Sequence, residues 1–408
     1  MARPSLYTGN TMHNKRDSLQ NHLNIARQIS YLQERLTRYS EKYTSVYQIA
    51  LHMLNACLVS LRFYRKEKHT LNGPLKICVK LGGGIGDLVI RLNWVCAFYN
   101  KFASLHPMEI DVCSARKELV AAFLPLFISE NLTFKQSDKR NYDLIISLDT
   151  RVPVVQYAST ARLPEKLCIY IERMVTFEQK YKGLLLILPY HDSISQNILS
   201  EAKKWWQHPD ILDEFHLTEA FLINVKLTEE QETLEKFHLK PATYITVNRE
   251  VGDSQLVNST KLWPLAYYRV LVEQIKINYP AYQIVEIGTG KGNRIGNAHL
   301  NLAGQTSLEE VKVILKYAAL HIDSEGGLVH LRHALNGGPS LVFFGPSDPE
   351  ILGYSENINL RGNGCDICCE YYSNTWQEAC IKGSRKCMES LLPKEVFIQL
   401  QQSMVLKK

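Results

Sequence analysis

The chain lacks any apolar run near the roughly 18 residues that a membrane-spanning helix needs, which excludes a helical membrane span. Its first residues, Met1-Ala2-Arg3-Pro4-Ser5, lack the apolar core of a secretory signal. A cytoplasmic protein is therefore expected, with its ten cysteines reduced. There are no internal repeats and no low-complexity segment, which excludes a solenoid and a disordered linker protein. With 45% hydrophobic and 22% charged residues the composition is that of a soluble globular protein. At 408 residues it is too long for one ordinary core, and two domains follow as the expectation.

The net charge of +6 is unevenly placed. Residues 1–70 hold 11 Lys or Arg against 4 Asp or Glu, so the rest of the chain is near neutral. A basic segment points to an anionic partner such as a membrane surface, a phosphorylated glycolipid or nucleic acid, or else to a solvated helix face. Apolar residues recur at spacings of three and four over residues 17–67, as at Leu19, Leu23, Ala26 and Ile29, which predicts helices there. The second stripe ends in Arg62-Phe63-Tyr64-Arg65-Lys66, suited to a membrane interface or to packing on the next domain.

After Gly73-Pro74 the pattern changes. Lys76–Leu81 reads as a buried strand and Asp87–Ala103 as a helix. Further strands are expected at Glu109–Cys113, Tyr142–Leu148, Leu167–Ile171 and Leu184–Leu188. A charged helical stretch over residues 228–241 reads as the hinge. Beyond it strands (Tyr244–Asn248, Tyr282–Ile287, Leu320–Asp323, Ser340–Phe344) alternate with helices (Pro264–Ile277, Ser307–Tyr317, Gly327–Leu335), and the tail from Pro393 to Leu406 is helical. Such alternation implies parallel βαβ units. The expected architecture is α/β: a basic helical extension (residues 1–72), then two Rossmann-like domains (73–235 and 236–408) facing a cleft.

Two glycine-rich strand-to-helix turns stand out. Gly82-Gly83-Gly84-Ile85-Gly86-Asp87 is a poor dinucleotide fingerprint, because the sixth position is Asp87 rather than glycine. That acid at a helix start fits a helix cap or a general base. In the second turn, Asp323-Ser324-Glu325-Gly326-Gly327-Leu328-Val329-His330, a strand ends in acids and a glycine pair opens a helix, a natural seat for a diphosphate. Lys261, in Lys261-Leu262-Trp263-Pro264, sits where a point charge can meet a leaving phosphate. Asn248 and Arg249 lie at the carboxyl end of a strand, where open α/β sheets bind ligands. Thr306-Ser307-Leu308-Glu309 reads as a capping sequence that can also line a base pocket. Cys365, Cys368, Cys380 and Cys387 fit a structural zinc or iron site, or buried thiols on an excursion loop.

In order along the chain, Gly83-Gly84-Ile85-Gly86-Asp87, Lys261-Leu262-Trp263-Pro264, Gly304–Glu309, Glu325–Leu331 and Phe344–Pro349 resemble the motifs of glycosyltransferase family 9, whose best-known members are ADP-heptose:lipopolysaccharide heptosyltransferases. The resemblance covers about residues 75–400 and leaves out residues 1–70. It implies the GT-B fold and inverting transfer of a sugar, heptose from ADP-heptose, to a lipopolysaccharide core or other surface glycan. It implies no cofactor for catalysis and no nucleic-acid partner. By the same resemblance Asp87 is the base that deprotonates the acceptor, and Lys261 steadies the donor phosphates. Gly326, Gly327, Leu328 and His330 cradle the diphosphate, and Thr306 lines the adenine pocket. Glu325 stands where the family carries Asp, which opens the identity of the donor sugar. The cysteine order is also similar to that of protein-modifying heptosyltransferases with an iron finger. Protein O-heptosylation and a non-catalytic GT-B scaffold are the alternative readings. Either lipid-linked reading places the protein at the inner face of the membrane, with residues 1–70 as a peripheral contact.

Overall fold

The computed structural model describes residues 73–114, 132–133, 142–148, 154–157, 163–187, 204–220, 230–251, 259–365, 377–380 and 382–407. The helices expected over residues 17–67 lie outside the described residues, as do Cys368 and Cys369.

Two sheets carry the fold. The first has strands β1 (Leu75–Leu81), β2 (Met108–Ser114), β3 (Leu132–Thr133), β4 (Leu144–Ser147) and β5 (Val154–Tyr157) in the order β3-β2-β1-β4-β5. All pairs are parallel except β4 with β5. The second has β6 (Tyr244–Val247), β7 (Gln283–Glu286), β8 (Leu300–Asn301), β9 (Leu320–Ser324), β10 (Ser340–Phe344) and β11 (Ile358–Arg361) in the order β11-β10-β9-β6-β7-β8, wholly parallel. β6, β9 and β10 are buried at every residue. Continuous apolar strands of this kind need cover on both faces, which parallel crossovers supply. In each sheet the strand order reverses beside the domain's first strand, between β1 and β4 and between β6 and β9. Open α/β sheets bind ligands at the carboxyl ends of such strands. The two Rossmann-like domains of the GT-B expectation are thus present.

The described helices are α1 (Ile85–Phe102), α2 (Glu165–Ile187), α3 (Glu230–Lys236), α4 (Leu265–Asn278), α5 (Leu308–Tyr317), α6 (Gly327–Ala334), α7 (Pro349–Leu352), α8 (Lys386–Glu389) and α9 (Pro393–Gln402). The expected strands at Leu167–Ile171 and Leu184–Leu188 are corrected: residues 165–187 form one helix. Leu167, Tyr170, Ile171 and Met174 are its buried face, spaced three, four and seven apart.

α1 is buried on most of its circumference, with Leu88, Val89, Ile90, Leu92, Trp94, Val95 and Phe98 all inside. A helix that is apolar nearly all round must be covered on more than one side. α1 lies on its own sheet and also against α6 of the second domain. The buried apolar residues accordingly run without a break from β1 and α1 through Val329 and Leu331 of α6 to Tyr354.

Candidate active site

The two glycine turns meet. A Cβ added to Gly86 would fall 2.5 Å from Cδ2 of His330, and one added to Gly327 would fall 2.9 Å from Cβ of Ile85 and 3.2 Å from the Gly86 nitrogen. The start of α1 in the first domain therefore rests directly on the start of α6 in the second. Glycine is needed at both places for close approach, since any side chain would part the helix ends. Gly86→Ala should cost about 1–3 kcal/mol by overpacking, read by chemical unfolding. A neutral substitution would mean that the helix ends do not touch in solution.

Asp87 follows Gly86 and is half-buried. Its carboxylate accepts a hydrogen bond from the Gly84 N–H at 3.0 Å, so it does act as a cap at the third residue of α1. A carboxylate in this geometry keeps further lone pairs for another donor.

Lys261 is set in place by Trp263. That indole is fully buried, stacks on Phe343 with centroids 4.3 Å apart, and donates its N–H to the Leu391 carbonyl at 2.9 Å. From this anchored backbone the Lys261 ammonium forms an ion pair with the Glu325 carboxylate and donates to the Glu325 carbonyl at 3.2 Å. Glu325 also accepts from the Ser347 hydroxyl at 3.0 Å, and its Oε1 lies 3.8 Å from Nε2 of His330. Burial pushes the Glu325 carboxyl up, but Lys261 and His330 together outweigh burial and hold it well below the usual carboxylate range. His330 is fixed from its other side, where Nδ1 meets the Tyr354 hydroxyl at 2.7 Å.

Asn248 faces the same strand ends but is committed inward. Its amide donates to both oxygens of Asp323 at 2.9 and 3.0 Å and to the Glu250 carbonyl at 3.1 Å, while its oxygen accepts from the Glu250 N–H at 3.2 Å. Asp323 is held in turn by His321, whose other nitrogen meets Thr246 at 3.0 Å. Burial raises the Asp323 pKa, and His321 and Asn248 oppose that rise. Beyond this chain the Glu250 carboxylate is clasped by backbone N–H groups of Thr289, Gly290 (2.9 Å) and Gly292 (3.0 Å), a turn that Gly288 and Gly290 allow with φ of +145° and +80°. Three amides converging on one carboxylate form a nest.

Arg249 is buried, with its Nε on the Trp263 carbonyl at 3.3 Å; burial lowers its pKa. At the start of α5 the capping pair is Ser307 with Glu310, one residue past the acid expected from the sequence. Just before it the Thr306 hydroxyl is a buried oxygen with no hydrogen-bond partner among the described residues. A buried hydroxyl without a partner is unusual in a folded protein. Leu328 is half-buried and packs into the core shared by both domains.

Of the residues expected from the sequence, the structure brings together Lys261, Glu325, Gly326, Gly327 and His330, with Asp87 one residue from the contact of Gly86 with His330. The sequence reading gave no role to Ser347 and Asp323, which stood in noted motifs, and missed Tyr354 and Glu250, for which spacing gave no signal. Cys365, Cys380 and Cys387 are close enough for the first and third to influence each other's charge: burial raises the Cys387 thiol pKa and its two neighbours add to the rise. Among the described residues no group of three or more possible ligands is placed to hold a metal; Cys368 of the expected four-cysteine set lies outside them.

Comparison with known proteins shows the family. Residues 134–375, more than half of the chain, match the family model described as glycosyltransferase family 9 (heptosyltransferase). A stretch of 102 residues is 32% identical to lipopolysaccharide heptosyltransferase 2 of Salmonella typhimurium, covering 22% of this chain and 28% of that protein. Two solved structures share the fold at a TM-score of 0.51 and 13% identity: the family 9 glycosyltransferase of Veillonella parvula (82% of this chain, 99% of that one) and the dodecameric, iron-containing TibC of enterotoxigenic E. coli (83% and 78%), which was also solved with ADP-D-beta-D-heptose. The chain belongs to glycosyltransferase family 9.

Proposed function

We propose that this chain is an inverting glycosyltransferase that moves heptose from ADP-heptose to a hydroxyl of a lipopolysaccharide core or another surface glycan. The observation that carries this reading is the meeting of the two helix starts, which brings Gly86, the neighbour of Asp87, against His330, itself next to the Lys261–Glu325 pair. In this reading the diphosphate lies over Gly326 and Gly327, where the amides at the start of α6 and its dipole favour negative charge. As the bond to the anomeric carbon breaks, charge builds on the leaving phosphate, and Lys261 and the α6 amides are already in place for it. Asp87 takes the acceptor proton from the opposite side. A single displacement with base and leaving group on opposite faces inverts the anomeric centre, by the logic of inverting glycosidases.

The ion pair between Lys261 and Glu325 fits this scheme. Glu325 shields the ammonium and fixes its direction. The incoming diphosphate then shares a cation that is already ordered, so little entropy is lost on binding. The Thr306 hydroxyl is assigned to the adenine pocket on the strength of its missing partner. Catalysis by these groups needs no metal, and the cysteines are given a structural part at most. The site of action is the cytoplasmic face of the membrane, with residues 1–70 as its electrostatic contact.

The test is a thermal-shift panel of nucleotide sugars followed by product analysis. ADP-heptose at about 100 times its Kd should stabilise the fold by about 2.7 kcal/mol. UDP-hexoses should do much less. A shift with a UDP-sugar and none with ADP-heptose would overturn the donor assignment.

A further inference from the structure

Tyr354 follows α7 and is fully buried, and two rings hold it flat. His333 of α6 stacks on it with centroids 3.7 Å apart and planes 12° apart; Trp206 stacks at 4.9 Å and 15°. His333 is itself tied down, by Glu356 at 2.7 Å and by the Glu219 carbonyl at 2.6 Å. Trp206 belongs to the segment whose Phe215 packs on Trp94 and Phe98 of α1, so the clamp reaches into the first domain's core. Tyr354 thus has little freedom to turn its hydroxyl away from His330.

The protons in this contact follow from chemistry. The ring of His330 has Nε2 toward Glu325 at 3.8 Å and Nδ1 toward the phenol at 2.7 Å. An ionised carboxylate only accepts, and although 3.8 Å is beyond hydrogen-bond length its charge favours the ring proton on the nitrogen that faces it, Nε2. Nδ1 is then the acceptor, and the phenol must donate. Burial, then Glu219 and Glu356, push the Tyr354 phenol well above its ordinary pKa, so it has its proton to give. The charged groups around the His330 ring are Glu325 with Lys261 behind it, Asp87 beyond Gly86, and the acids Glu219 and Glu356 behind Tyr354.

Resting on the transferase reading above, we propose that Tyr354 is a positioning residue: its hydroxyl locks His330 as the Nε2–H tautomer, so that an uncharged N–H faces the donor diphosphate. A neutral donor strengthens its hydrogen bond as the leaving phosphate gains charge, yet does not hold the product nucleotide as an ion pair. The Trp206 stack makes this setting depend on the first domain being docked.

Tyr354→Phe keeps the stacked ring and removes only the hydroxyl. Nitrogen NMR of histidine-labelled full-length protein, with His330→Gln to identify the signal, reads the tautomer directly. In the parent the signal should show a bare Nδ1 and a protonated Nε2. In Tyr354→Phe the two tautomers should mix. Turnover should fall by up to about tenfold while KM for ADP-heptose changes by less than about threefold. A proton on Nδ1 in the parent, or the same tautomer signal in both proteins, would overturn the proposal. The NMR arm needs no substrate. If the protein transfers no heptose, the tautomer is still read; if it transfers heptose and the tautomer is unchanged by the substitution, the role of Tyr354 alone fails.

Discussion

Asp87→Asn is expected to abolish most sugar transfer, lowering kcat by about 10²–10⁴-fold, the usual contribution of a positioned base. Binding of ADP-heptose should stay within about twofold, because the carboxylate serves the acceptor and not the donor. Asparagine suits the question because Asp87 has two tasks. The Gly84 N–H that it now caps at 3.0 Å can be capped equally by an amide oxygen. Helix-start stability should therefore change by only about 1 kcal/mol or less, while the proton acceptor is gone. A variant that folds, binds the donor and does not transfer separates the two tasks. If transfer survives within about tenfold, Asp87 is a cap and the base lies elsewhere.

Lys261→Met has the second large effect, on stability as well as on rate. Lys261 and Glu325 are 9% and 7% exposed, so removing the ammonium strands a carboxylate inside the protein. Breaking one side of a buried pair typically costs about 3–5 kcal/mol. Loss of charge at the leaving phosphate should lower kcat by a further factor of about 10²–10³. The pH dependence fixes the cause. In the parent the Glu325 pKa is lowered on folding, so its contribution to stability is present above the unfolded value, about 4.3, and is lost as pH falls toward the folded value. Without Lys261, burial dominates and the folded pKa rises above the unfolded one. The variant's deficit should then be largest near neutral pH and shrink as Glu325 takes up a proton on acidification. Adding Glu325→Gln should recover part of the loss, since the stranded charge disappears with it. Chemical unfolding of the two variants across pH measures both effects. A deficit independent of pH, with no recovery in the double variant, would show that Lys261 acts by packing rather than by charge.

The sequence shows the outline of this site better than its wiring. Alternating strand and helix patterns, with Gly326-Gly327 at a strand end and Lys261-Leu262-Trp263-Pro264 before a helix, are enough to give the order of strands and helices after residue 244. The pattern is readable there because β6, β9 and β10 are buried throughout, and their apolar runs are bounded by turn residues. The first domain is harder. Leu167–Ile171 carries the same short apolar run as a strand, and only the continuation to Met174 shows the helical period. β3 and β8 have two residues each, too few to show any alternation.

Within the site, spacing identifies chemistry-bearing residues but not their partners. Asn248 lies at the expected strand end, yet its amide is spent on Asp323 and Glu250. Gly327 reads as a phosphate-binding glycine, whereas its most evident requirement is the approach of Ile85 and Gly86 from the other domain. Tyr354 lies 24 residues beyond His330, and only the folded chain shows that its hydroxyl holds the ring. These are tertiary facts: each depends on two elements far apart in sequence, and neither local pattern carries the information.

A crystal structure of the protein with ADP and an acceptor sugar tests the central claim most directly. The diphosphate should lie over Gly326 and Gly327 within hydrogen-bond reach of Lys261, and the acceptor hydroxyl should point at the Asp87 carboxylate across the same sugar position. A nucleotide seated away from the start of α6, or an acceptor held where Asp87 cannot reach it, would contradict the account.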